Sequence, residues 1–182
     1  MDSQPSKTLV VDASVGSAAG NEDSTDQTAS CCVSVLKTIL SMSYKIAMSE
    51  DIESEWCHTR KKILSYASKW LVLMENRNRT VALRNTINEP LRESILNSMP
   101  NKDSQSAMQK DLHLLEAALA TDKIVLSRDK KCRKHFQEAA SNITEIKPIL
   151  WANPEVPEEG VVDWLNSDVP FEKERQLGYS GP

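Results

Sequence analysis

Short apolar runs alternate with amphipathic stretches along this chain. Runs that are β-branched or otherwise apolar, and too short for a helix, predict strands at residues 7–12, 44–48, 80–83, 124–126 and 148–152. Between these runs, apolar residues recur every three or four positions, which is typical of helices that bury one face. This alternation predicts a three-layer α/β/α sandwich with a mainly parallel central sheet.

Local signals place the helices. Ser49 is a suitable N-cap, and Glu50 and Asp51 follow it in the first turn, where the helix dipole favours negative charge. Pro90 marks another helix start, and the apolar positions of residues 59–75 predict one long helix. Further helices are predicted from residue 28, over residues 111–119 and 130–136, and at residues 161–165.

Polar stretches outside these elements set the predicted boundaries of the fold. Residues 16–26 and 100–106 predict loops, because they are rich in glycine or in short polar side chains. We expect a domain over residues 1–153 and a C-terminal extension over residues 154–182. The extension should contain one short helix and end in a loose tail from residue 172.

Composition narrows the class of protein. With 182 residues, 40% hydrophobic and 26% charged, the chain resembles an ordinary globular domain. The longest apolar runs are too short to span a membrane and the start lacks signal-peptide features, so we expect a cytoplasmic protein. Four cysteines show no C-x-x-C pair and are expected to be reduced. A net charge of −4 is compatible with nucleic-acid binding only where basic residues cluster locally.

Acidic residues occur at the strand ends and helix starts of the predicted sheet. Asp12 ends the first strand and Asp129 follows a later one, while Asp111 opens the helix before that later strand. Glu55 lies on the helix after the second strand. Strand ends and the following helix starts meet at one edge of a parallel sheet, so we expect these four acids to converge.

Converging carboxylates favour a bound cation. Two unit charges about 4 Å apart repel by roughly 1 kcal/mol in water, and by roughly 4 kcal/mol at an effective dielectric of 20. Oxygen ligands without Cys or His select Mg²⁺ or Mn²⁺ over Zn²⁺. Such an ion activates water and stabilises charge on phosphate, so the layout suits phosphodiester cleavage.

Each acid also has a structural interpretation. Asp12 could cap a turn, Asp111 could complement a helix dipole and Glu55 could be a solvated helix acid. Glu53 competes with Glu55, although residues two positions apart do not share a helix face.

Other titratable residues receive structural assignments. Glu116 is on a different helical face from the acid at position 111, and Asp122 lies in the turn at the far end of its strand. His58, His113 and His135 have no mutual ligand spacing, so none is assigned as a general base.

These motifs resemble those of PIN domains over about residues 8–150. LVVDAS at 9–14 looks like their opening Asp-x-Ser/Thr, and IESE at 52–55 resembles their second acidic motif. DLHLLEAAL at 111–119 with LSRD at 126–129 resembles the paired third and fourth acids. PIN domains are metal-dependent ribonucleases, many of them toxins of bacterial toxin/antitoxin pairs.

The resemblance implies a Mg²⁺- or Mn²⁺-dependent endoribonuclease. Its catalytic and metal-binding residues would be the four acids Asp12, Glu55, Asp111 and Asp129. Ser14 and Ser127 would orient the carboxylates. The loop at 16–26, the helix at 59–75 and the tail after Asn153 depart from the usual pattern, which leaves the substrate and biological role open.

RNA is the expected partner. Basic residues flank the proposed ligands, and those assigned to nucleic-acid binding are Arg60, Lys61, Lys130 and Lys131. A solvated charged face is the alternative for these runs. Trp56 has two interpretations, a stacking platform for a base or a core anchor. A protein inhibitor (an antitoxin) and a second copy of the chain in a homodimer are the other candidate partners, and no membrane is expected.

Two further classes of protein stay open. A catalytically inactive PIN-like module would bind RNA or a protein partner through the long loop and the tail. A phospho-acceptor receiver domain also uses strand-end aspartates, but it needs a paired acid after its first strand and a lysine after its last. Here Asp12 stands alone and Lys147 precedes its strand, so the receiver ranks below the other two.

Overall fold

The computed structural model of the chain describes residues 6–20, 25–60, 65–179 and 181. Its strands are β1 (Thr8–Val11), β2 (Lys45–Met48), β3 (Thr80–Ala82), β4 (Ile124–Leu126) and β5 (Leu150–Ala152). The α-helices of these residues are α1 (Ala13–Ala18), α2 (Gln27–Ser41), α3 (Glu50–Arg60), α4 (Tyr66–Asn76), α5 (Glu89–Asn97), α6 (Lys102–Gln109), α7 (Leu112–Leu119), α8 (Lys130–Ala140) and α9 (Val161–Asn166).

The described strands form one parallel sheet in the order β3-β2-β1-β4-β5. In register, Leu9 of β1 lies beside Ile46 of β2, and Val10 lies beside Val125 of β4. The predicted α/β fold with a parallel sheet is therefore confirmed. The order places β1 at the centre, with later strands added first on one side and then on the other.

Both faces of the sheet are covered at β1. Leu9, Val10 and Val11 are at most 1% exposed, and consecutive strand residues point to opposite faces, so both faces must be packed. Helix α7 contacts β1, β2 and β4, and α3 contacts β2. This arrangement is compatible with three layers.

Tryptophans fix the helices around the carboxyl end of β1. Trp56 and Trp70 are fully buried with ring centroids 5.5 Å apart. The indole of Trp56 donates a hydrogen bond of 2.8 Å to the Val11 carbonyl. A Cβ on Gly16 of α1 would lie 2.6 Å from the Trp56 ring, so this close approach requires glycine. Trp56 is thus a core anchor, and it holds α3 against the end of β1.

The structure corrects the prediction of one long helix over residues 59–75. Helix α3 ends at Arg60, and a separate α4 begins after Ser65. Ser65 has extended backbone angles, φ −75° and ψ 145°, and its side chain caps α4 by accepting from the Ser68 N–H. Residues 61–64, which include the predicted Lys61, lie outside the described residues.

Both predicted loops contain helical structure. Within residues 16–26, α1 extends to Ala18, and Asp26 caps α2 by accepting from the Ala29 N–H; residues 21–24 lie outside the described residues. Within residues 100–106, Asn101 caps α6 in the same way, by accepting from Ser104 N–H. The caps account for the difference, since polar residues at these positions start helices rather than interrupt them.

The expectation of a loose tail from residue 172 is wrong as far as Tyr179. Leu177 is 1% exposed, and its N–H donates a hydrogen bond of 2.9 Å to the Ile149 carbonyl. Gln176 forms an antiparallel bridge with Leu150 of β5. The segment therefore covers one edge of the sheet, as exposed strand edges require. The division of domains at residue 153 stays a prediction, and none of the helices in the described residues combines the length and apolar character needed to cross a membrane.

Candidate functional site

The candidate site lies where the strand order reverses. The chain proceeds from β1 to β2 and β3 on one side, and then to β4 and β5 on the other. In open α/β sheets, ligands bind in the crevice outside the carboxyl ends of the strands at such a reversal. Asp12 directly follows β1, Ser127 directly follows β4, and the Asp12 N–H donates a hydrogen bond of 3.0 Å to the Leu126 carbonyl.

Hydrogen bonds fix the Asp12 carboxylate. As N-cap of α1, its Oδ1 accepts from the Ser14 N–H at 3.1 Å. Its Oδ2 accepts from the hydroxyls of Ser14 and Ser127, each at 2.6 Å. These contacts restrict the rotation of the carboxylate and hold it at the strand reversal.

Asp129 is fixed in a similar way. It caps α8 by accepting a 2.7 Å hydrogen bond from the Cys132 N–H, and its own N–H donates to Ser127 Oγ at 3.1 Å. Ser127 therefore contacts both Asp12 and Asp129. This fully buried hydroxyl contacts the carboxylate of Asp12 and the backbone of Asp129.

Asp111 lies near both of these aspartates. It is the N-cap residue of α7 but makes no side-chain cap hydrogen bond, and it accepts a hydrogen bond from the Cys132 thiol. Burial, and then the charges of Asp12 and Asp129, raise the pKa of Asp111 to about 6, although the Cys132 hydrogen bond and His113 act in the opposite direction. Asp111 is thus close enough to Asp12 and to Asp129 to be repelled by both.

Glu55 faces the same crevice. An open cavity of about 530 Å³ is lined by side chains that include Asp12, Ser14, Glu55, His58 and Asp111. Asp129 is not among the lining residues, so its link to the cavity is through its charge on Asp111 and its hydrogen bonds.

Glu53 faces away from this cavity. It lines two other cavities, at the carboxyl ends of β2 and β3 and beside Trp56. The sequence left Glu53 and Glu55 as alternatives, and the geometry favours Glu55.

A buried histidine contacts Glu55. His113 of α7 is 5% exposed, and its Nε2 lies 3.4 Å from Glu55 Oε2. Burial opposes protonation of His113, but the close contact with Glu55 and the charges of Glu55, Asp51 and Asp111 outweigh it, so the pKa of His113 is raised. Sequence reasoning missed this contact, since the partners lie on separate elements and no spacing connects them.

The acids assigned as structural occupy structural positions. Glu116 is 4% exposed and accepts hydrogen bonds of 2.7 Å from Nε and Nη2 of Arg92. Asp122 accepts a hydrogen bond of 2.7 Å from the Thr8 N–H at the start of β1, the opposite end of the sheet from the cavity.

Part of the basic run after β4 is committed to structural contacts. Arg128 donates to Glu155 at 2.7 Å and to the Ser14 carbonyl at 3.2 Å. Arg133 donates to Glu159 at 2.6 Å. These arginines tie the start of α8 to neighbouring loops.

The lysines assigned to nucleic-acid binding remain accessible. Lys130 and Lys131 are exposed in the first turn of α8, directly after Asp129. The side chain of Arg60 and all of Lys61 lie outside the described residues.

The donor chemistry of the cavity suits Mg²⁺ or Mn²⁺, but the side chains are not arranged as a finished metal centre. Among the residues with a described structure, no group of three or more His, Cys, Asp or Glu side chains could hold a metal ion as placed. Mg²⁺ is bound by one or two carboxylates, with waters and substrate oxygens completing its shell. The residues fit such an ion on chemical grounds.

Comparisons with known proteins do not assign the chain to a family. No family model matches it, and neither a curated protein nor a solved structure does.

Proposed function

We propose that the chain is a PIN-like, metal-dependent endoribonuclease that hydrolyses RNA phosphodiester bonds. The observation that supports this proposal is the convergence of Asp12, Glu55 and Asp111 on one cavity at the strand reversal, with Asp129 coupled to them. The toxin of a toxin/antitoxin pair is the biological role that the resemblance suggests.

The four carboxylates would hold Mg²⁺ or Mn²⁺. Such an ion, when bound, activates water and stabilises negative charge on the phosphate. Ser14 and Ser127 hold the Asp12 carboxylate in place through their hydroxyls, and His113 contacts the Glu55 carboxylate. Such supporting contacts orient the groups that bind a metal and tune its affinity.

Lysines beside the site would contact the RNA backbone. Lys130 and Lys131 extend from the helix that Asp129 caps, so a phosphate near the carboxylates lies within reach of positive charge. In a chain of net charge −4, a local patch of this kind would have to supply the salt-dependent attraction to RNA.

Cleavage of RNA by the purified chain tests the proposal. Wild-type protein should degrade RNA with Mg²⁺ or Mn²⁺ and not with EDTA. Asp12→Asn and Asp129→Asn should each abolish cleavage while circular dichroism shows a retained fold. Glu145→Gln is the control, because this exposed acid lies before β5, at the opposite end of the sheet. Equal cleavage by wild type and the double variant would contradict the proposal.

A catalytically inactive PIN-like module that binds RNA or a protein is the second candidate. The absence of a finished metal centre among the described residues favours it. It predicts that the pure protein binds RNA, or a protein inhibitor, without degrading RNA at any Mg²⁺ or Mn²⁺ concentration.

A further inference from the structure

His58 brings an imidazole to the carboxylate cavity. Its side chain is exposed and lines the cavity together with Asp12, Glu55 and Asp111. It lies three residues after Glu55 on α3, so both side chains are on the same face of the helix. A substrate held at the carboxylates would therefore meet this ring.

A backbone hydrogen bond fixes the ring of His58 and its tautomer. Nδ1 lies 2.7 Å from the Ser54 carbonyl oxygen. A carbonyl oxygen only accepts hydrogen bonds, so Nδ1 must carry a proton. Nε2 is then the nitrogen that can gain or lose a proton while this contact is kept.

The other histidines are less suited to reach a substrate. His113 is 5% exposed and is in contact with Glu55. His135 lies on α8 with its Nδ1 3.4 Å from Glu138 Oε2, and its Nε2 is buried. His58 therefore combines access to the cavity with a fixed tautomer.

We propose that His58 is a further catalytic residue, the general acid that protonates the leaving ribose oxygen; this rests on the proposed ribonuclease function. Water adds its oxygen to phosphorus and loses one proton to solvent. The bond from phosphorus to the ribose oxygen breaks, and that oxygen keeps the electron pair and takes the Nε2 proton. His58 is left neutral, with Nδ1–H still donating to Ser54, and regains a proton from solvent. General acid catalysis of this kind contributes about 10²- to 10⁴-fold in rate.

Two substrates that differ in leaving group test this role. His58→Gln should slow cleavage of RNA by about 10²- to 10⁴-fold, but slow cleavage of a nitrophenyl nucleotide ester by less than about tenfold, since nitrophenolate departs without a proton. Cys57→Ser is the matched control, because Cys57 is the preceding exposed residue of α3 and lines a different cavity. It should cleave both substrates as wild type does.

Other outcomes would overturn the role of His58. Equal losses on both substrates would mean that His58 acts on binding or structure, and unchanged RNA cleavage would mean that it carries no proton. Failure of wild-type protein to cleave either substrate would instead overturn the proposed ribonuclease function, and the role of His58 with it. Thermal unfolding checks the fold of the variant, which should match wild type because the side chain is exposed.

Discussion

The hydroxyl of Ser127 donates a hydrogen bond of 2.6 Å to Asp12 Oδ2, which joins the carboxyl end of β4 to that of β1. Ser127 Oγ also accepts a hydrogen bond of 3.1 Å from the N–H of Asp129. One buried side chain thus sets the relative positions of two proposed metal ligands. Ser127 should therefore contribute both to metal affinity and to the stability of the fold.

Ser127→Ala should weaken the proposed metal site. A buried hydrogen bond to a charged group contributes about 1.5–3 kcal/mol to stability, and loss of a partner that orients a ligand typically lowers metal affinity about 10- to 100-fold. Isothermal titration with Mn²⁺ and urea unfolding measure the two effects. Ser141→Ala is the control, because its hydroxyl donates only to the Glu138 carbonyl at the end of α8. Unchanged Mn²⁺ affinity in Ser127→Ala would contradict the orienting role.

Glu55→Gln and Glu53→Gln should differ, although they lie two residues apart on α3. Glu55 lines the cavity with Asp12 and Asp111 and contacts His113, whereas Glu53 lines other cavities. We expect Glu55→Gln to lose Mn²⁺ affinity and RNA cleavage, and Glu53→Gln to retain both. The opposite pattern would assign the second acidic position to Glu53.

The parallel sheet, and the strand ends at which the acids lie, could be predicted from the sequence. Four apolar or β-branched residues followed by Asp12 marked a buried strand and its end, and the alternation of elements implied parallel strands whose ends share an edge. The break between α3 and α4 was missed because apolar spacing continues across it, and only the N-cap Ser65 marks it. Helix α6 was missed because it is mostly polar and buries a single residue, Met108, so it lacks the recurring apolar positions that mark the longer helices.

Long-range contacts could not be predicted from local patterns. Leu177 is buried against a strand edge although its neighbours are polar or glycine. The contacts of His113 with Glu55 and of Cys132 with Asp111 join elements that are distant in the chain. His58 is different, since its spacing of three from Glu55 on one helix was a signal available in the sequence.

Without a divalent ion, the contribution of Asp111 to stability should fall as the pH rises from about 4 to about 6. The pKa of Asp111 is about 6 in the folded protein and 3.8 as the ordinary value. The folded state therefore binds the proton of the Asp111 carboxyl more tightly than the unfolded state does. The resulting stabilisation is complete below pH 3.8 and is lost as the pH rises through 6. Asp111→Asn should flatten this part of the profile in urea unfolding with EDTA. An identical pH dependence in wild type and variant would show that Asp111 is not the responsible group.

A divalent ion should reverse this trend. Metal binding requires an ionised carboxylate and stabilises only the folded state, so Mg²⁺ or Mn²⁺ should add more stability at pH above the Asp111 pKa than below it. Urea unfolding at a fixed Mn²⁺ concentration, measured at each pH across this range, gives the effect. The reference is unfolding in the same buffers with EDTA and no added metal. If the ion added the same stability at every pH, we would conclude that it binds away from Asp111.

Glu116→Gln should destabilise the fold without affecting the metal site. Glu116 is 4% exposed and accepts two hydrogen bonds of 2.7 Å from Arg92 and one of 2.7 Å from the Asn88 N–H. Removing one partner of a buried pair costs about 3–5 kcal/mol, because the other charge is left uncompensated. Arg92 retains 21% exposure of its side chain, so the loss should lie at the lower end of that range. Urea unfolding measures the loss, and replacing both partners by apolar residues, as in Glu116→Leu with Arg92→Met, should recover much of it.

Because this pair lines no part of the carboxylate cavity, Mn²⁺ affinity of the folded Glu116→Gln protein should equal that of wild type, and a loss of affinity would tie Glu116 to the site.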